Sequence, residues 1–342
     1  MSVTLKDIAK KVGKSVTTVS RALHDYDDVS PETKELVHRA AEDMGYTPNI
    51  IAQRLQKQRT DTIGFILPTF GPRFSDPFFS EFLAGIGNKA AKLGYDLLVS
   101  THPPGEEELK TYRRKVQSYL VDGFIIVRTR RKDTRIEYLC QAGFPFVAFG
   151  RTEEACDFPY VDEDSEYGMR LLAHHLADLG HQRIAFLAAP EELMFAHFRL
   201  KGFEEGLADK GIQLDEKMVV FGDLTQRDGF RQATSLLDLP DPPTAIAACN
   251  DLMALGAISA AQKRGLIVGK DIAITGFDNI PLAEHSHPPL TTIHQPIYQI
   301  GDMVCEMLIK RINKEPLRSQ SVLQKPTLVI RESCGEKYIN PN

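Results

Sequence analysis

Short, nearly continuous apolar runs recur along most of the chain: TIGFILP, YDLLVS, DGFIIV and PFVAFG, then RIAFLA, KMVVFG, TAIAAC and DIAITG. Between them the apolar positions switch to helical spacing, as over 165–179 and 252–263. A strand that is apolar on both faces needs cover on both, so this alternation predicts parallel sheets wrapped by helices. Two successive series predict two α/β lobes. The chain then runs through PPLTTIHQPI to a helix over 297–312 and crosses again near Lys325.

The pattern before residue 61 is different. Thr4 and Asp7 have capping-box spacing, and Leu5, Ile8, Ala9 and Val12 follow on one helical face that Gly13 ends. Ser15 can cap a second helix in which Val16, Val19 and Leu23 point inward, with Thr17, Thr18, Ser20 and Arg21 outward. Ser30 and Pro31 open a third helix with Leu36, Val37 and Ala40 inside, and Gly45 closes it. Three short helices joined in this way can lay the second one in a DNA major groove; a small helical bundle with ordinary caps is the alternative. In the DNA reading, Val16, Thr17 and Arg21 meet bases, Arg21 through its fork of donors. Thr4, Ser15, Thr18, Ser30 and Thr33 hold phosphate oxygens.

Composition adds limits. At 342 residues and 42% apolar the chain can bury a sizeable core in two or three domains. No run approaches the roughly 18–20 apolar residues of a membrane span, and the lysines near the start precede no apolar segment, so a cytoplasmic location is expected. The net charge of −5 divides unevenly: +2 over residues 1–60 and −7 over the rest, which places a polyanionic partner at the amino end. Cys140, Cys156, Cys249, Cys305 and Cys334 are scattered and odd in number, which favours idle or buried thiols over a disulfide framework or zinc site.

Taken in order, VTLKDIA, TVSRAL, VSPET, GYTPN and RTDTIG resemble the lactose-repressor (LacI/GalR) family of bacterial regulators, and the likeness spans the chain. The resemblance implies a helix-turn-helix domain over 1–47 and a hinge helix and linker over 48–60. It also implies a periplasmic-binding-protein-like core of two doubly wound subdomains over 61–335. The amino-side lobe would take about 61–161 and 292–324, and the carboxyl-side lobe about 162–291 and 325–335. Family members fold the hinge on operator DNA beside a dimer mate; here Asn49, Ala52 and Leu55 match its contacts, with Leu55 as a minor-groove wedge. The segment's exposed apolar residues and its basic Arg54, Lys57 and Arg59 suit folding on a polyanion.

Ligands of open α/β sheets sit beyond the carboxyl ends of strands. That rule selects Arg128, Arg151, Asp162, Asn250, Asp251 and Asp278, with Asp76, Phe78 and Phe79 from a helix start; Phe79 is preferred, since the two rings are not expected to face a ligand together. Family motifs place Arg199, Asn250 and Asp278 on effector hydroxyls. Asp162 and Asp278 could instead cap helices, and Arg151 could pair with Glu153 or Asp162. Gly150 stands where some family sugar sensors carry a carboxylate, while IIVRTRRKDTRIEYL and FPFVAFGRT are similar to a branch sensing α-glucosides or α-galactosides.

Enzyme signatures fail on context. Gly85, Gly87 and Ala90 match a relaxed dinucleotide fingerprint but fall inside a helical pattern beginning near Pro77, so close helix packing is expected. GLIVGK lacks phosphate-loop spacing, the histidine pairs lack further ligands, and Glu106, Glu107 and Glu108 read as a helix-dipole feature. No cofactor or metal is expected. The combined expectation is a homodimeric DNA-binding repressor of carbohydrate use, released by a sugar; no leucine-repeat tail follows Glu336, which favours a dimer, with the helix from Pro77 in its interface. The rivals are a corepressor-dependent regulator sensing a purine or other metabolite, a sugar-binding transport protein, and a sugar kinase fused to a helix-turn-helix.

Overall fold

A computed structural model describes residues 3–46, 59–69, 76–153 and 156–336. The chain divides into two units, Met1–Thr60 and Asp61–Asn342. The hinge candidates Asn49, Ala52 and Leu55 lie outside the described residues.

The first unit contains helices Leu5–Val12, Val16–Leu23 and Pro31–Asp43. Asp7 accepts from the Thr4 backbone N–H at 2.9 Å and from its hydroxyl at 2.7 Å, and these bonds hold its carboxyl below the usual range. Ser15 Oγ accepts from Thr18 N–H at 3.0 Å, and Ser30 Oγ does the same for Thr33 at 3.4 Å. The inner faces close on Ile8, Ala9, Val19, Ala22, Val37 and Ala40. Two expected core residues are on the surface instead: Leu36 is 47% exposed and Val16 40%. The third helix buries positions 37, 40 and 41, and Leu36 sits about 100° round from that stripe. Val16 belongs to the first turn of its helix, and a core built largely of alanine and valine is too small to cover it.

In the second unit the first apolar series forms β1 (Thr62–Pro68), β2 (Asp96–His102), β3 (Gly123–Ile126) and β4 (Phe146–Phe149), and β5 (Tyr160–Glu163) follows outside it. The next forms β6 (Ile184–Ala188), β7 (Val219–Phe221), β8 (Ala245–Ala248) and β9 (Ala273–Asp278), followed by β10 (Thr291–His294), β11 (Ser321–Gln324) and β12 (Thr327–Val329). One six-stranded sheet has the order β11-β5-β4-β3-β1-β2 and the other β12-β10-β9-β8-β6-β7. Pairing is parallel except where β12 runs antiparallel to β10. β1 is buried at every residue, as a central parallel strand covered on both faces must be.

The topology locates two switch points. From β1 the chain moves outward to β2 and then back to β3 on the other side; from β6 it moves to β7 and back to β8. The chain passes between the sheets after β5, after β10, and between β11 and β12. Thr292 belongs to β10 in the second sheet, so the return to the first sheet begins after His294.

Helices Pro77–Lys92 and Ile297–Ile312 pack on each other because glycines face across the contact. A Cβ at Gly85 would collide with the carbonyl oxygen of Tyr298, and one at Gly301 with that of Phe82. Gly85, Gly87 and Ala90 therefore sit inside a helix, and Gly85 serves helix packing. The expectation of idle thiols fails for one pair. Cys140 and Cys156 form a disulfide with Cα atoms 6.7 Å apart, since the turn after helix Thr134–Gln141 and strand β4 brings back a residue sixteen positions on. Cys249, Cys305 and Cys334 are buried free thiols.

Gly85→Ala should lower stability by about 1–3 kcal/mol through backbone overlap. Gly87→Ala, with nothing within 4 Å of the new methyl, should raise it by up to about 1 kcal/mol. Urea unfolding of the two variants checks the sign difference.

Candidate functional site

The carboxyl ends of strands from both sheets converge on one cavity. Asp76, Phe78 and Phe79 enter after β1, Arg128 and Thr129 after β3, Gly150 after β4, and Asp162 with Glu163 at the end of β5. The second sheet supplies Asn250 after β8, Asp278 at the end of β9 and Gln295 after β10, while helix Met194–Ala208 adds Phe195 and Arg199. Of the sequence-selected residues, Asp76, Phe79, Arg128, Asp162, Arg199, Asn250 and Asp278 line this space.

Arg151 does not. Its Nε donates to Asp162 Oδ2 at 2.7 Å and its guanidinium lies 3.9 Å from the Phe198 ring centre, so it serves the lining residue Asp162 and is not itself part of the lining. Glu153 pairs with Arg131 instead. Both phenylalanines border the cavity, but Phe79 is 2% exposed within the amino-side core, so one of the pair is core, as expected, and it is the ring that the sequence reading prefers for the ligand. Phe78 stacks on Phe149 at 5.9 Å and Phe79 meets Phe78 edge-on at 5.2 Å. The T-shaped contact lets consecutive residues share one wall.

Arg199 is the most heavily engaged of the residues that line the cavity. It is 4% exposed. Its Nη2 donates to Glu163 at 2.9 Å and to Asp278 at 3.4 Å, and Nη1 donates to the Cys249 carbonyl. Phe277 covers its plane at 3.7 Å. Asn250 caps helix Asp251–Lys263: its Oδ1 accepts from Met253 N–H at 3.0 Å while Nδ2 donates to the Leu224 carbonyl at 3.0 Å. Asp76 caps Pro77–Lys92 by accepting from Phe78 N–H at 3.1 Å and also accepts from Arg128 at 3.2 Å. Neither Asp162 nor Asp278 is a cap; Asp164 caps Ser165–Asp178, and Asp278 has φ 112° at the sharp end of β9. Asp251, although at a strand end, faces away from the cavity. It accepts from Ile280 N–H at 2.8 Å and from the Thr292 hydroxyl at 2.5 Å, which fixes the turn carrying Asp278.

A buried ion cluster holds Arg128 in place. Arg128 has φ 49°, an unfavourable conformation for a side-chain-bearing residue. Arg135 Nη2 donates to the Arg128 carbonyl at 3.0 Å, and the same guanidinium binds Asp133 at 2.6 Å and Glu108 at 2.9 Å. Glu108 is fully buried and also takes Arg130 at 2.6 Å, so it does more than face a helix dipole. Just beyond, Arg131 N–H donates to the Glu192 carbonyl and Met194 N–H to the Thr129 carbonyl, each at 2.9 Å, joining the lobes backbone to backbone.

Burial raises three of the cavity's carboxyls and is outweighed at the fourth. It pushes the Asp76 carboxyl up despite Arg128, and it pushes Asp162 up with help from the Glu163 charge. For Glu163 burial is outweighed by Arg199 and the Ser165 hydroxyl, so its carboxyl is held low. Burial raises Asp278 to about 7, with Arg199 opposing and Asp76 and Glu163 adding to the rise.

Gln295 escaped the sequence reading. It is 1% exposed and donates to Asp278 Oδ1 at 2.6 Å, while its Oε1 is buried with no hydrogen-bond partner among the described residues. It stands where the chain passes between lobes, a position that strand-end logic reaches once TTIH is recognised as β10. Phe195 precedes Arg199 by one helical turn and could have been found from that spacing.

The DNA-reading candidates all lie in the first unit. Val16, Thr17 and Arg21 are on the outer face of the second helix, Thr18 is partly covered, and Thr4, Ser15, Ser30 and Thr33 stand at the three helix starts.

A three-helix unit whose second helix has an exposed outer face precedes two sheets around a polar cleft. Residues 4–49 match the family described as bacterial regulatory proteins, lacI family, and residues 173–334 match the periplasmic binding protein-like domain. The chain is 36% identical over 339 residues to the HTH-type transcriptional regulator AglR of Rhizobium meliloti (strain 1021), covering 98% of this chain and 95% of that one. The solved lac repressor dimer bound to operator and the anti-inducer ONPF superposes with a TM-score of 0.85 at 30% identity, covering 98% of this chain and 99% of that one. The transcriptional regulator CelR–cellobiose complex superposes with a TM-score of 0.75 at 32% identity over 97% and 99%. This chain belongs to the lacI family of bacterial transcriptional regulators.

Asp278 keeps a proton to about pH 7 in the folded chain but loses it near pH 4 when unfolded. Between these values the native state binds more protons, so stability from this group is full at low pH and falls as pH rises through 7. The melting-temperature advantage of wild type over Asp278→Asn should therefore shrink from about pH 5 to pH 8. A gap that stays flat or widens across that range would contradict the assignment.

Proposed function

We propose that the chain is a homodimeric repressor of a carbohydrate-utilisation operon, acting in the cytoplasm and released from its operator by an uncharged sugar. The observation that carries this reading is the charge state of the cleft. Both arginines that reach the cavity are already engaged: Arg128 with Asp76, and Arg199 with Glu163 and Asp278. A phosphate or carboxylate on the ligand would have to break one of those pairs and face the remaining acids. A neutral polyol instead donates hydroxyls to Asp278 and to Gln295 Oε1, and lays its apolar ring face on the phenylalanine wall. The CelR–cellobiose complex shows a relative holding a sugar, which supports the same class here.

The DNA end follows from the outward side chains of the second helix. Arg21 reads a guanine edge, Val16 and Thr17 meet thymine methyls, and Thr4, Ser15, Thr18, Ser30 and Thr33 set the register on phosphates. Segment 49–55, with Asn49, Ala52 and Leu55, is assigned to operator contact by the family resemblance. A sugar that prefers one lobe arrangement changes operator affinity by its preference for that state alone.

Two measurements test the reading. In a thermal-shift screen, neutral mono- and disaccharides should raise the melting temperature in a concentration-dependent way, by about 2.7 kcal/mol of stabilisation at one hundred times Kd; sugar phosphates should not. If only phosphorylated ligands stabilise the protein, the uncharged-ligand assignment is wrong. In a gel shift, the full chain should retard duplex from upstream of its own operon, less so at higher salt, and the active sugar should release it.

A further inference from the structure

The turn after the second helix of the first unit does something its capping role does not require. Asp25 N–H donates to the Ala22 carbonyl at 3.1 Å, and Tyr26 N–H reaches back to the Arg21 carbonyl at 3.1 Å, with Asp25 left-handed at φ 55°. This is the pattern of a Schellman ending, which returns the residue after the left-handed one to the helix turn it has just left. That position usually brings an apolar contact. Here it brings Tyr26, whose ring centre lies 5.0 Å from the Arg21 guanidinium. Two residues on, Asp28 clasps one side of that guanidinium: Nε to Oδ1 at 3.1 Å and Nη2 to Oδ2 at 2.6 Å.

The geometry is selective. A guanidinium has five N–H donors, and this carboxylate occupies the side formed by Nε and Nη2. The end formed by Nη1 and the second Nη2 hydrogen remains available, and it matches the paired O6 and N7 acceptors of guanine. We propose that Asp28 is a specificity-determining residue that sets which edge of Arg21 meets the base, with Tyr26 holding the plane of the fork. The proposal rests on the reading of Val16–Leu23 as the helix that enters the major groove. Without the clasp, Arg21 is a long side chain with many rotamers, able to swing to a phosphate, where it adds affinity but carries no sequence information. Asp28 also carries a negative charge beside a surface meant for a polyanion, which penalises binding modes that use Arg21 only as a charge.

The test uses the full chain and the upstream duplex that it retards. Each G·C pair of one half-site is replaced in turn by A·T, and dissociation constants are measured by fluorescence anisotropy alongside a scrambled duplex. Wild type should lose roughly 5- to 150-fold at the pair read by Arg21, and Arg21→Ala should abolish the preference at that pair. Asp28→Asn should shrink that preference at least several-fold, leave preferences at the other pairs intact, and bind scrambled duplex as tightly as wild type or more so. Asp28→Glu, which restores a carboxylate on a longer stem, should recover part of it. If Asp28→Asn tightens every duplex equally and the preference stands, Asp28 only repels phosphate and the proposal fails. If Arg21→Ala leaves every preference unchanged, the fault lies instead with the reading of Arg21 as a base contact. A melting temperature for each variant separates misfolding from loss of selectivity, and Tyr26→Leu, which keeps apolar bulk but loses the ring face, should show a smaller effect at the same pair.

Discussion

The cleft exists because a buried guanidinium has to be matched by carboxylates. Arg199 sits at 4% exposure, where an uncompensated charge would cost several kcal/mol. Glu163 from the end of β5, whose carboxyl is held low, supplies the opposing charge, and Asp278 from the end of β9 supplies a further acceptor. These strands belong to different sheets, so the partners of one guanidinium tie both lobes to a common point. The rest of the polar lining follows from it: Gln295 satisfies Asp278, Asp251 holds the turn that presents it, and Arg135 fixes the loop that brings Arg128 to face Asp76.

Long-range order of this kind is half visible in the chain. The run TIGFILP gave β1 with its ends correct, and the helices over 165–179, 252–263 and 297–312 were within a residue of Ser165–Asp178, Asp251–Lys263 and Ile297–Ile312. The buried positions of these elements are mostly apolar, so periodicity locates them. Strands β5, β11 and β12 carry charged or polar residues in short runs at or near sheet edges, which leaves little apolar pattern to detect. In the first unit Leu36 and Val16 were assigned inward by their chemistry, but the available core is narrow and the stripe at 37, 40 and 41 fills it.

Strand ends located most of the residues that line the cavity, because topology fixes that position before any side chain is considered, but Glu163 and Gln295, also at strand ends, were missed. What could not be read was which way each side chain turns. Arg151 and Asp251 are at strand ends yet serve neighbours behind the lining. Phe78 and Phe79 share a wall only because of an edge-on contact that linear spacing does not encode. The Cys140–Cys156 bond joins residues whose separation matches no motif, since a strand and a loop intervene.

The three passages between the sheets leave from one border: β5 and β11 are neighbours in the first sheet, and β10 and β12 in the second. Gln295 stands directly after β10, where one of those passages begins, and it also lines the cavity, so a group held by its amide touches the connection between the lobes as well as the pocket.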